Sequence, residues 1–234
     1  MKYPGSKARF TKQLLAVVAS ARGDRTAYLE PFVGGGNSFA AVAPLFARSG
    51  CGDGQEDIAL LWQAVAGGWL PPENVSEDEY AALRHAEPSA LRGFVGVGCS
   101  FAGKWFGGYA RGNANNGGPR NYAAESRRAL LRQQPAFAAA AVIRHCGFQD
   151  WNVSADMVVY CDPPYAGTLK YRTDVDHALF WRTAEQWAHQ GAAVLVSEQT
   201  APAGWAPVAA LGRLNSTALA QDRAATTEYI FARE

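Results

Sequence analysis

Residues 158 to 167, VVYCDPPYAG, set an acid, two prolines and a tyrosine directly after an apolar run. Val158, Val159 and Tyr160 read as a strand buried on both faces. Proline cannot donate ladder hydrogen bonds, so the strand must stop at Cys161 or Asp162. Asp162 then stands at a strand's carboxyl end, the edge of an open α/β sheet where ligands bind. A carboxylate and the Tyr165 ring, joined by the stiff Pro163-Pro164 pair, suit a small, polar, planar guest. An ordinary strand-ending turn would carry the same four residues.

A second group lies near the start of the chain. TAYLEPFVGGGNSFAAVAPLFA reads as a strand through Leu29, a turn at Gly34-Gly35-Gly36, and a helix from about Asn37 to Ala47. Consecutive glycines can take positive φ and let a ligand approach the backbone, and the helix start beyond them favours polar or anionic groups. No Gly-Lys-Ser/Thr follows, so this is not a phosphate loop, and the third glycine of a dinucleotide fingerprint is missing. A tight structural turn is the alternative. Asp53, about 20 residues on, precedes a helix from about Glu56 to Val65, the usual arrangement for gripping the ribose of a nucleoside cofactor. The stretch before it, ARSGCG, has almost no β-formers, and Asp57 competes as a plain helix-start acid.

The elements that must position these residues follow an α/β order. Residues 8 to 21 have apolar positions at helical spacing, and Ser76 with Glu79 makes a capping box that starts another helix. The α/β pattern returns at AAVIRHCGFQDW. The strand into Asp162 follows, then a helix from about Asp176 to His189, the strand AAVLVSE, and a terminal strand TTEYIFAR. Residues 66 to about 134 read as an inserted lobe.

The chain has 234 residues, 48% hydrophobic and 18% charged, enough for one sizeable core plus a small lobe. The expectation is a soluble protein of a reducing cytoplasm, with no membrane contact, signal peptide or metal. No apolar run reaches the roughly 20 residues of a membrane span. The four cysteines and four histidines are scattered without ligand spacing, so the thiols should be buried and no structural zinc is expected.

The net charge of +1 hides a segregation. From Asp53 to Glu79 there are seven acids and no Lys or Arg. From Phe101 to Arg132 there are six basic residues against Glu125 alone, with Trp105, Phe106, Tyr109 and Tyr122 between them. Basic side chains interleaved with aromatics can neutralise phosphates and offer stacking faces. For Arg127, Arg128 and Arg132 a helix with a solvated basic face is the competing reading. GKWFGGYARGNANNGGPRNY is too rich in Gly and Asn to be a helix, and a long loop of that kind inside a compact domain is usually functional or disordered.

Four separated stretches, KYPGSK, LEPFVGGGNSF, GDGQEDIALLWQAV and CDPPYAGT, together resemble the Dam-like DNA adenine-N6 methyltransferases. The likeness continues through FWRTAEQWAHQGAAVLVSE to the C-terminus and covers most of the chain in order. It implies a Rossmann-like S-adenosylmethionine-dependent methyltransferase sheet, built from residues 1–65 and 135–234, with a mainly helical and loop target-recognition lobe at 66–134. It implies methyl transfer from S-adenosylmethionine, leaving S-adenosylhomocysteine, to the exocyclic amine of an adenine flipped out of double-stranded DNA. In that family the acid, here Asp162, and the carbonyl of Pro163 accept the amine hydrogens, Tyr165 stacks on the base, and Pro164 keeps the turn stiff. Tyr3 and Lys7 match positions lining the methionine end of the cofactor. Phe32, Gly34 and Gly36 match the glycine turn, with Glu30 behind it, Asp53 matches the ribose acid, and Phe148 matches a residue beside the cofactor adenine. Gln55 stands where relatives often have Asn or His.

Lys104, Arg111 and Arg120 are the phosphate-contact candidates in the lobe. A monomer is expected, with a dimer left open. Three other readings remain: an RNA base methyltransferase, a nicotinamide oxidoreductase, and a non-catalytic DNA-binding relative. The DNA word, and whether a restriction partner exists, are not written in the sequence, because readout rests on a few side chains in the divergent lobe.

Overall fold

A computed structural model describes residues 1, 3–114, 117–164, 175–213 and 227–233. Among them runs a seven-stranded sheet in the order β3-β2-β1-β4-β5-β7-β6. The strands are β1 (Ala27–Glu30), β2 (Arg48–Asp53), β3 (Val142–His145), β4 (Met157–Cys161), β5 (Ala193–Glu198), β6 (Trp205–Arg213) and β7 (Thr227–Arg233). β1 to β5 are parallel, whereas β7 is antiparallel to both β5 and β6. This is a Rossmann-like α/β sheet. From β1 the chain steps outward through β2 to β3, then returns to β4 on the other side of β1, so the strand order reverses between β1 and β4. Ligands of such sheets bind outside the carboxyl ends at that reversal.

Period-2 alternation divides the central strands between two apolar cores. Tyr28, Val158, Tyr160, Leu195 and Ile230 face one core. Leu29, Val159, Cys161, Val194, Val196 and Phe231 face the other. The first core packs against α1 (Thr11–Arg22), α2 (Asn37–Val42), α3 (Glu56–Ala66) and α6 (Tyr122–Ala138), the second against α7 (His177–His189). β2 forms despite its poor β-formers because tertiary packing demands glycine there. A Cβ on Gly52 would lie 2.7 Å from the Arg144 carbonyl and 2.8 Å from the Trp151 ring. Local propensity loses to close approach of the neighbouring strand.

The residues between β2 and β3 supply α4 (Glu77–Leu83), with its capping box, α5 (Ala90–Gly98), a short 3-10 turn (Phe101–Gly103), and α6. Residue 134 falls inside α6, and Val75, Tyr80, Phe94, Phe106 and Leu130 join the same core as Tyr28 and Trp62. A buried ion pair ties this segment to α3: Arg92 Nη1 meets Asp57 Oδ2 at 2.8 Å, while Ser89 N–H donates to Asp57 Oδ1 at 3.0 Å. Asp57 is thus a buried anchor as well as an acid in the first turn of α3. Cys51, Cys99 and Cys161 are buried and Cys146 is half-buried. Among the described residues no helix is long and apolar enough to cross a membrane.

Candidate active site

The carboxyl ends of β1, β2, β3 and β4 surround a cavity of about 400 Å³, within the range of small-molecule pockets. Tyr3, Lys7, Phe32, Gly34, Gly36, Asp53, Phe148, Asp162, Pro163 and Pro164 all line it. Residues separated by more than a hundred positions in sequence therefore share one wall. Tyr165 lies outside the described residues.

β4 ends at Cys161, and Asp162 is the next residue. Its carboxylate takes both oxygens to the Lys7 ammonium, at 2.6 and 2.7 Å. Lys7 opens a 3-10 turn (Lys7–Phe10) capped by Ser6 and also donates to the Gly5 carbonyl at 2.8 Å. The turn is held from below. Asn37 Nδ2 donates to Ser6 Oγ at 2.9 Å, and Gln133 Nε2 of α6 donates to Asn37 Oδ1 at 3.0 Å. Glu228 of β7 supplies a second carboxylate 3.0 Å from the ammonium. Burial works against the charged Lys7, but Asp162 and Glu228 outweigh it, and its pKa lies above the ordinary lysine value. Lys7 accordingly anchors the acid at the end of β4, a role beyond lining the cavity. Glu228 was not singled out from the sequence. Its only signal there is an acid inside the apolar pattern of the terminal strand.

Glu30, at the end of β1, is fully buried and accepts from Tyr28 Oη at 2.9 Å and from the Ser38 hydroxyl. Burial pushes its pKa up to about 8, against the pull of those two hydroxyls, so it is mostly protonated at neutral pH. Lys7, Asp162 and Glu228 together then carry one net negative charge.

On the β2 side, Asp53 accepts N–H bonds from Gly34 and Gln55, each at 2.9 Å. Burial raises its pKa to about 6, opposed by those N–H groups and by His145. The glycine turn is shaped by the protein itself as much as for a guest. A Cβ on Gly34 would run into the Tyr3 ring and one on Gly35 into the Tyr3 Cβ, and one on Gly36, at φ +71°, would lie 2.4 Å from Trp62. The Trp62 indole stacks on Phe137 at 3.8 Å and donates to the Gly34 carbonyl at 2.9 Å, fixing the turn from inside the core. The Phe32 and Phe148 rings stack at 5.6 Å beside the Phe180 edge and give the cavity an apolar end.

A nucleoside-bearing cation fits these residues. Gln55 Nε2 is a buried amide donor without an acceptor among the described residues, on the cavity lining beside Asp53. Beyond it, a Cβ on Gly54 would meet nothing within 4 Å. Among the described residues the charged lining consists of Asp53, Asp162 and Asp176 against Lys7, with an exposed His145. An acidic cavity whose ammonium is already clamped by carboxylates favours a cationic ligand and disfavours a pyrophosphate. Among the described residues no cluster of His, Cys, Asp or Glu could hold a metal ion.

The loop candidates lie elsewhere. Lys104 is exposed. Arg111 pairs with Glu77, and Arg120 meets the Glu125 carboxylate through Nε at 2.6 Å and Nη2 at 2.7 Å. Arg127 pairs with Glu73 at 3.0 Å. The acidic and basic blocks of the sequence therefore neutralise each other in part across the folded lobe.

No protein-family model matches this chain, and no curated protein matches it. Among solved structures, a candidate methyltransferase from Escherichia coli, yhhF, is 13% identical with a TM-score of 0.43, over 99% of this chain and 87% of that one. A candidate methylase from Haemophilus influenzae is 9% identical with a TM-score of 0.38, over 97% and 99%. Likeness this remote carries no argument about activity.

Proposed function

We propose that this protein transfers a methyl group from S-adenosylmethionine to the exocyclic amine of an adenine in DNA. The observation that carries the reading is the acidic cavity at the strand-order reversal, with an ion-clamped Asp162 at one end and Asp53, Gln55 and the Phe32–Phe148 pair at the other. The same charge balance speaks against a nicotinamide dinucleotide, whose pyrophosphate would meet three carboxylates. The choice of DNA adenine rests on the resemblance of the four sequence motifs.

In this reading Asp53 accepts the ribose hydroxyls, Gln55 Nε2 gains its missing acceptor, and Phe32 and Phe148 cover the cofactor's adenine. Bound in this way, the cofactor supplies an already activated methyl on a sulfonium, so no covalent intermediate on the protein is needed. The target amine is a poor nucleophile because its lone pair is delocalised into the ring. Asp162 and the Pro163 carbonyl accept its two hydrogens and so favour a more tetrahedral nitrogen. Lys7 keeps the carboxylate from rotating away, so the acceptor is in place before the base arrives. Tyr165 stacks on the base. Lys104, Arg111 and Arg120 meet phosphates, the two arginines by exchanging a carboxylate partner for one.

Incubation with radiolabelled S-adenosylmethionine and unmethylated duplex DNA, followed by digestion to nucleosides, tests the reading. Label on N6-methyl-2′-deoxyadenosine is the expected result. Label on another nucleoside, on none, or only when RNA replaces the DNA, would refute it.

A further inference from the structure

Beside the cavity runs a second, larger groove of about 780 Å³ between the N-terminal turn and α6. It shares Tyr3, Gly5, Ser6 and Asn37 with the cavity. Among the described residues its charged side chains are Arg9, Arg128 and Arg132 against Glu125 and Glu228. Both acids are already engaged, Glu125 by Arg120 at 2.6 Å and Glu228 by Lys7 at 3.0 Å. Among the described residues no carboxylate pairs with Arg9, Arg128 or Arg132, and all three are exposed. The neighbouring cations behave differently, since Arg111, Arg120 and Arg127 each hold an acid.

Arg128 and Arg132 stand at i and i+4 on α6, where like charges repel and destabilise a helix. Two unpaired arginines on one helix face, opposite a third across the groove, make a cradle for a polyanion. The cradle opens onto the cavity on the side where Gly5 and Glu228 meet the Lys7 that holds Asp162.

Resting on the base-modification reading, we propose that this groove carries the DNA backbone next to the target base, with Arg9, Arg128 and Arg132 as its phosphate contacts. The arginines on α6 are then more than a solvated helix face. The strand that enters here runs past Tyr3 and Ser6 and presents its base to the end of β4.

The test is binding to a duplex DNA oligonucleotide, followed by fluorescence anisotropy over a range of salt concentrations. Each phosphate neutralised contributes about 0.9 to the slope of log K against log[salt]. The triple variant Arg9→Gln, Arg128→Gln, Arg132→Gln should lose about 2–3 from that slope. Arg128→Lys with Arg132→Lys should keep it, because lysine still neutralises a phosphate. Thermal midpoint and S-adenosylhomocysteine affinity should be unchanged in both, which establishes that the fold and the cavity are intact. If the wild-type protein methylates DNA and the glutamine variant keeps the wild-type slope, the groove assignment fails while the function stands. If the wild-type protein neither binds nor labels DNA, both fail together. Tighter binding to an RNA duplex than to DNA would overturn the assignment by giving the groove to another partner.

Discussion

Asp53 tests the cofactor reading through its protonation. Both its oxygens accept backbone N–H bonds at 2.9 Å, and burial nevertheless lifts its pKa to about 6. To hold ribose hydroxyls as well, the carboxyl must accept on both oxygens, which requires the ionised form. Protonation turns one acceptor into a donor and opposes binding. The affinity for S-adenosylhomocysteine should therefore be flat above about pH 7 and weaken about tenfold per unit below about pH 6, since one pKa unit corresponds to about 1.4 kcal/mol. Asp53→Asn should bind at least about tenfold more weakly near pH 8, as a hydrogen bond to a charged group contributes about 1.5–3 kcal/mol, and should lose the pH dependence. The folded pKa lies above the ordinary 3.8, so the ligand-free wild-type protein favours the protonated acid. Its stability should decline as pH rises from 3.8 to about 6 and level off beyond, and the asparagine variant should lack that decline. Calorimetric titration from about pH 5 to about pH 8 at constant ionic strength reads the binding directly. A wild-type affinity that is flat across the range, or an asparagine variant that binds as tightly as wild type, would refute the assignment.

Asp162→Asn keeps the size of the acceptor but removes its charge, and Glu228 still holds Lys7 at 3.0 Å. Turnover should fall at least about 100-fold in single-turnover methylation, with cofactor affinity nearly unchanged; near wild-type turnover would remove Asp162 from the chemistry. Glu30 has a folded pKa of about 8 against the ordinary 4.5, so its contribution to stability is full below 4.5 and is lost as pH rises through 8. Between about pH 5 and about pH 7.5 the wild-type protein should lose on the order of 3 kcal/mol more than Glu30→Gln in urea unfolding, and equal losses would mean that Glu30 is ionised in the fold. Gly36→Ala puts a Cβ 2.4 Å from Trp62 at φ +71° and should cost at least about 2 kcal/mol while weakening cofactor binding. A wild-type thermal midpoint in that variant would contradict the packing of the turn.

The order of elements was legible because its signals are local. An apolar run broken by Pro163-Pro164 can only end a strand there, and β4 stops at Cys161. The Ser76–Glu79 box starts α4, and the helices after Gly36 and Gln55 begin where turn and periodicity place them. The candidate residues at the ends of β1, β2 and β4 could be named for the same reason, since a parallel sheet gathers its carboxyl ends on one edge. β6 was not foreseen, because WAPVAALGR lacks clear alternation and finds its place through pairing with β7. Nor could propensity predict β2, whose Gly52 is required by Arg144 and Trp151 and whose Gly50 is crowded by Val142 on the neighbouring chain segments.

Charge pairing was the least legible feature. Lys7 and Asp162 are 155 positions apart, and Glu228 lies farther still, so nothing in their local sequence joins them. The same holds for Asp57 with Arg92 and for the acids that meet Arg111 and Arg127. A sequence records how many charges a chain carries and where they cluster along it. Which of them neutralise one another, and which arginines remain for a partner, depends on distances of a few ångströms that exist only once the chain has packed.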